Sequence, residues 1–296
     1  MQKWRLIYSG KAEPYWNMAV DEALFLLCQA EPDFPPTLRV YDWSEPAVTI
    51  GYFQTVEKAV NLNLAEKQGI KVVRRVTGGR AVLHYGELTY SMAANGKSHP
   101  ELGRNLAETY RQIAGAFAGS LQMLGIRAEQ KRGKDPLGNS RALYAQVWQE
   151  KPNYSKRDFQ MPCFQSSSTF ELSVGGKKIL GSAQRRSREC FIQQGSLPRQ
   201  RLGREITDVL QPGGPEGLFQ HTWDERVSYL DELLGRSPSL EELSDIIRRG
   251  FERFLGATFG DGNLTSQELE LAERLKEEKY ALSIWNKHAP AGCRAG

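Results

Sequence analysis

The chain has 296 residues, a formal net charge of +4, 40% hydrophobic and 25% charged residues, a balance that excludes fibrous and intrinsically disordered classes. Its longest apolar run, Ala23-Leu24-Phe25-Leu26-Leu27-Cys28, is far below the roughly 20 residues of a bilayer-spanning helix, so no membrane partner is expected. The basic residues are spread along the chain rather than gathered in one stripe, which argues against nucleic acid as a partner.

Residues 4–8 (Trp-Arg-Leu-Ile-Tyr) read as a strand, and Met1 to Arg5 lead into it without a signal-type apolar core, which predicts a cytoplasmic protein. Asn17 reads as the cap of a helix carrying Met18, Ala23, Leu24, Leu27 and Cys28 at helical spacing. Two extended stretches follow, Thr37 to Tyr41 and Ala47 to Tyr52, and then a glycine-containing region over 74–92. From Asn105 to Leu124 a long helix shows Leu106, Tyr110, Ile113, Phe117, Leu121 and Leu124 on one face, with Gly125 as its stop.

Residues 130–160 lose all periodicity and read as a long loop of the kind that often carries function. Phe170 to Val174, Gly175-Gly176 and Lys177 to Leu180 form a hairpin on a two-residue turn. Counting outward pairs Val174 with Lys177, Ser173 with Lys178, and Phe170 with Gly181, which leads Cys163 toward Ser182. Beyond the Pro/Gly cluster at 212–217, Ser239-Leu-Glu-Glu and Thr265-Ser-Gln-Glu read as capping boxes of two amphipathic helices. The chain thus divides into residues 1–215 and a small helical lobe over 216–296.

The four cysteines, Cys28, Cys163, Cys190 and Cys293, form no CxxC pair and no metal-type spacing with the four histidines, so no disulfide framework and no metal are expected. Cys28 and Cys190 lie in periodic apolar settings and are assigned to packing, and Cys293 to an exposed tail. In Arg74-Arg75-Val76-Thr77-Gly78-Gly79-Arg80-Ala81-Val82-Leu83-His84 a basic pair meets a glycine turn. Such a backbone can approach a ligand closely, with guanidinium groups at hand for a phosphate or carboxylate. A Gly pair is also an ordinary turn device, so local chemistry leaves both readings open.

That stretch resembles the Arg-Arg-x-Thr-Gly-Gly-(Gly or Arg)-x-Val-x-His signature of the lipoate-protein ligase and octanoyltransferase families. Asn17 to Leu24, Gly51-Tyr52-Phe53-Gln54, Lys178-Ile-Leu-Gly181-Ser182-Ala183-Gln184, Gln194-Gly195-Ser196 and the tail from Lys279-Tyr280 to Trp285-Asn286 resemble further family segments in the same order. The resemblance implies the α/β catalytic fold shared with biotin and lipoate ligases. That fold is a mixed, largely antiparallel sheet flanked by helices, here with the helical C-terminal lobe. Ligases usually read His-Asp after the glycine loop, whereas this chain has His84-Tyr85, which counts against an adenylating activity that must manage magnesium and nucleotide phosphates.

Met161-Pro162-Cys163-Phe164-Gln165 resembles the segment of octanoyltransferases that read Cys-Phe-Asp, where ATP-using ligases have no cysteine. A thiolate there takes an acyl group from a thioester donor, so no cofactor is required. An ordinary thiol, with pKa near ~8.5, is barely ionised at neutral pH, and Lys178 is the residue expected to favour the thiolate, bond the acyl carbonyl or help deprotonate the acceptor amine. Gly181, Ser182 and Ala183 leave room for the carbonyl; Arg74, Arg75, Thr77, Gly78, Gly79, Arg80 and His84 are expected to bind substrate. Lys178 could equally be a solvated strand residue, and His84 a structural histidine.

By resemblance, the expected reaction moves an octanoyl group from octanoyl-acyl carrier protein through a Cys163 thioester to a lysine of a lipoyl-domain protein. Glycine-cleavage H protein and dehydrogenase E2 are the expected acceptors. The alternatives are an ATP-dependent lipoate-protein ligase, an amidotransferase acting between carrier domains, and a non-catalytic carrier-docking protein. Arg185-Arg186-Ser187-Arg188 reads as solvated surface or as a dock for an acidic carrier domain.

Overall fold

The computed structural model describes residues 3–130, 171–201, 204–210 and 226–288. Cys163, Cys293, Phe170 and nearly all of the 130–160 loop lie outside the described residues. The strands are β1 (Trp4–Ala12), β2 (Thr37–Trp43), β3 (Ala47–Ile50), β4 (Lys71–Arg74), β5 (Val82–His84), β6 (Glu87–Asn95), β7 (Glu129–Gln130), β8 (Leu172–Val174), β9 (Lys177–Ser187), β10 (Cys190–Pro198) and β11 (Phe259–Asp261). The large sheet runs β11-β1-β2-β6-β10-β9-β8-β7, and β4-β3-β5 form a second. β1 is parallel to β2 and β11, while the remaining pairs of the large sheet are antiparallel. This is the mixed, largely antiparallel architecture that the sequence led us to expect.

Five helices matter here: α1 (Pro14–Ala30), α2 (Leu106–Met123), α3 (Leu240–Leu255), α4 (Ser266–Leu275) and α5 (Ser283–Lys287). Side chains of a strand alternate between faces, and in β10 Ile192 packs with Met18, Leu24 and Trp43 under α1. Its neighbour Phe191 packs with Tyr90, Phe117 and Phe251 under α2 and α3. Because both faces are covered, all of β10 is buried.

Helix α1 begins at Pro14, with Glu13 at the cap position, and not after Asn17 as the sequence suggested. Proline needs no hydrogen-bond partner at the first helical position, so the helix starts one turn earlier. Asn17 is buried inside it instead, donating to the carbonyls of Ala12 (3.2 Å) and Asp42 (3.1 Å) and accepting from Arg39 (2.7 Å). Helix α2 is capped by Asn105 and ends before Gly125 at φ +81°; Leu106, placed on the apolar stripe from spacing, sits in the exposed first turn.

Thr265 and Glu268 form a complete capping box. Ser239 accepts from the Glu242 amide (3.1 Å), but the Glu242 carboxylate turns to Arg236 (2.8 Å), so the return bond expected there is missing. Residues beyond 216 share the central cores: Leu240, Leu243 and Ile247 pack with Phe117, and Glu22 of α1 accepts from Lys279 (2.7 Å) and Tyr280 (2.8 Å). Among the described residues no helix is long and apolar enough to cross a membrane.

The hairpin turns at Gly175 and Gly176 and pairs Val174 with Lys177 and Ser173 with Lys178, as counting predicts. A one-residue bulge then sets Leu172 opposite Leu180, so uniform counting does not carry beyond Ser173.

Candidate active site

Between α1 and the strands that face it lies a cavity lined by residues of both sheets. Met18, Trp43 and Val82 give it apolar walls, Gly181, Ala183 and Gly195 give it room beside the backbone, and Arg75 and His84 line it together with the hydroxyl and amide side chains of Thr49, Thr89, Gln194 and Ser196. Such a mixture suits a chain that is apolar along its length and polar at one point.

A buried polar network braces this cavity. Asp21 accepts from Arg39 (2.7 Å) and Ser91 (2.6 Å) on one oxygen, and from Tyr41 (2.7 Å) and Gln194 (2.6 Å) on the other. Burial and the adjacent Asp21 charge push the Tyr41 hydroxyl well above its ordinary pKa, so it stays a donor. Thr77 donates to Gln194 (2.7 Å) and accepts from Arg75 Nε (3.1 Å).

Arg75 also donates to Thr49 Oγ1 (3.1 Å) and to the carbonyls of Gly78 (2.6 Å) and Arg80 (2.8 Å). His84 closes the ring, with Nε2 2.7 Å from Thr49 Oγ1 and Nδ1 2.5 Å from Glu87. A carboxylate only accepts, so Nδ1 carries a proton and donates to Glu87, while Nε2 shares its hydrogen bond with the Thr49 hydroxyl. Glu87 takes further bonds from Thr89 (2.7 Å) and Ser196, and the His84 ring stacks on Trp43 at 4.2 Å.

The two arginines of the basic pair divide. Arg74 is fully buried and donates to the carbonyls of Gly51, Tyr52, Gln54, Trp285 and Asn286, so its guanidinium holds backbone. Arg75 reaches the cavity wall. Arg80 has a buried Nη1 with no hydrogen-bond partner, the one described guanidinium nitrogen in that condition.

Gly79 takes φ +88°, and its carbonyl lies so close to Gly51 that a Cβ on Gly51 would overlap it. Gly51→Ala is therefore expected to displace the loop, lowering stability by about 1–3 kcal/mol and slowing catalysis; denaturant unfolding together with kcat would show it.

Of the other residues singled out in the sequence, Gly181, Ser182 and Ala183 line the cavity, with the Ser182 hydroxyl bonded to Tyr90 (2.7 Å). Tyr85, which follows His84, is 41% exposed. Lys178 is buried and bonded at 2.5 Å to Glu171, about 10 Å along β9 from Gly181 at the usual strand rise. Strand alternation separates the basic run: Arg185 lies over Tyr52 (4.8 Å), and Arg186 lies over Phe191 (5.3 Å) and donates to Thr109 (3.0 Å).

The sequence alone did not single out Thr49, Glu87, Asp21 or Glu171. A carboxylate in the middle of an apolar strand, as in Phe170-Glu171-Leu172, was the available signal.

Residues 13–252 match the family described as the lipoyl protein ligase A/B catalytic domain. The chain is similar to octanoyltransferase LipM of Kyrpidia tusciae, 35% identical with 97% of this chain and 99% of that protein covered. It is similar also to octanoyltransferase LipM of Geobacillus kaustophilus, 36% identical over 96% and 97% of the two chains. In fold it is similar to lipoate-protein ligase A bound with ATP, with a TM-score of 0.75, 24% identity and coverage of 97% and 100%.

Proposed function

We propose, from the premise that the chain belongs to the lipoyl protein ligase A/B catalytic-domain family, that it is an octanoyltransferase working through a thioester on Cys163. The observation that carries this reading is the match, over nearly the whole of both chains, to octanoyltransferases. The cavity's lining agrees in character with it: Met18, Trp43 and Val82 offer apolar contact to an acyl chain, and Arg75 and His84 offer polar contacts.

The Cys163 thiolate attacks the carbonyl carbon of an octanoyl thioester on a carrier protein. The new C–S bond forms, the old one breaks, and the donor sulfur leaves as a thiolate that takes up a proton. The ε-amine of a lysine on a lipoyl-domain protein then attacks the Cys163 thioester. An amide forms, the amine loses a proton, and the thiolate is restored. A thioester and an amine yield an amide and a thiol, so no ATP enters the balance. In this reading the Lys178 ammonium offsets the charge developing on sulfur and carbonyl oxygen, and the Arg80 guanidinium, whose Nη1 has no hydrogen-bond partner, bonds an oxygen of the substrate.

Mixing the protein with octanoyl-acyl carrier protein and no nucleotide should add one octanoyl mass to the peptide holding Cys163, and adding a lipoyl domain should discharge it. Transfer that requires ATP, or an acyl adduct on no cysteine, would replace this reading with the ligase one.

A further inference from the structure

We propose that Glu171 is a positioning residue of the transfer site, its carboxylate fixing where the Lys178 ammonium stands. The proposal rests on the reading of Lys178 as part of the transfer machinery.

Two adjacent lysines share β9, and the sheet treats them differently: Lys177 is partly exposed while Lys178 is 5% exposed. Glu171, 6% exposed, meets the Lys178 amine at 2.5 Å across the β8–β9 pair. Burying two charges costs several kcal/mol each, and well-packed apolar residues in their place are often as stabilising or more so. Stability alone therefore does not account for a carboxylate and an ammonium at these two positions. A buried ammonium held by a carboxylate, on the strand that also carries Gly181, Ser182 and Ala183 of the cavity wall, is the arrangement that a positioned amine requires.

The base of Lys178 is already held. Its carbonyl accepts from Ser228 N (2.8 Å), and its backbone pairs with Ser173 on one side and bridges to Val227 on the other. Beyond that base stretches a flexible four-carbon stem carrying about 2 kcal/mol of rotamer entropy. Glu171 adds a charged partner at the tip, favouring one rotamer before substrate arrives. Three residues further along the same strand, Gly181 begins the cavity wall. The bulge that shifts β8 against β9 lies between Leu172 and Ser173, immediately beside Glu171, and it sets the register in which carboxylate and amine meet.

The test uses the full-length protein as E171Q, E171D, K178M and the E171Q/K178M double variant, each checked for folding by thermal melting. E171Q is expected to lower kcat about 10²-fold, the cost of displacing a reacting group by about 1 Å, with KM for donor and acceptor changed by less than about twofold. E171D, which keeps the charge on a shorter arm, is expected to recover about tenfold of that loss. The double variant should be no slower than K178M, because both substitutions act through one amine.

An E171Q chain with wild-type kcat beside an impaired K178M overturns the proposal, as does a double variant slower than K178M by the full E171Q factor. If E171Q does not fold, E171D decides alone: a folded E171D with wild-type kcat overturns it equally. A fully active K178M removes the premise itself, an outcome told apart from the first because there K178M is impaired.

Discussion

A Cys163→Ala chain is expected to fold like the wild type and to transfer octanoyl groups at least about 10³-fold more slowly, the scale on which loss of a covalent nucleophile is felt. Without the sulfur, the acceptor lysine would have to meet the donor thioester directly, with both carrier proteins seated at once. A thioester intermediate instead lets one acyl chain be taken up from the donor and then passed on, so the two carrier proteins need never be seated together. Steady-state kcat and intact-protein mass spectrometry after donor addition measure the effect. A Cys163→Ala chain that turned over normally would end the thioester mechanism.

Asp21→Ala is expected to cost about 3–5 kcal/mol of stability, the range for leaving one member of a buried ion pair uncompensated. Asp21 and Arg39 are both completely buried, 2.7 Å apart. Removing the carboxylate also strips an acceptor from Ser91, Tyr41 and Gln194. Gln194 in turn receives the Thr77 hydroxyl, so the glycine loop should loosen before the domain unfolds. Urea unfolding gives the free energy; a loss below about 1 kcal/mol would mean that the network is not held together through Asp21.

Features written in local chemistry were legible from the sequence. The Gly175-Gly176 turn fixed the first two pairs of the hairpin, and Asn105 and Gly125 bracketed α2. Asn17 misled because its side chain suits a helix cap and here ties a helix interior to β2. The bulge at Leu172 was invisible because nothing in the residue types of 170–174 marks an extra residue on the facing strand. Arg75 and His84 were named from the glycine-loop motif, but the residues that orient them, Thr49 and Glu87, were not. Thr49 sits 26 and 35 positions away from them, a separation that no local pattern encodes. Arg74 shows the same limit: its type suggested an anion, and only the fold revealed five carbonyl oxygens around it.

Two of those five carbonyls belong to Trp285 and Asn286, more than two hundred positions downstream. On a ribosome, the amino-terminal helix, the glycine loop and even the β9–β10 hairpin emerge well before α5 is translated. The Arg74 Nε and Nη2 donors that the finished protein buries therefore wait for carbonyls that only α5 supplies, while Nη1 finds its own on Gly51, Tyr52 and Gln54. Loss of α5 would take both carbonyls from Arg74, and with them the Asn286 Oδ1 that accepts from the Arg74 amide, so the start of the glycine loop would lose its tie to the far end of the sequence.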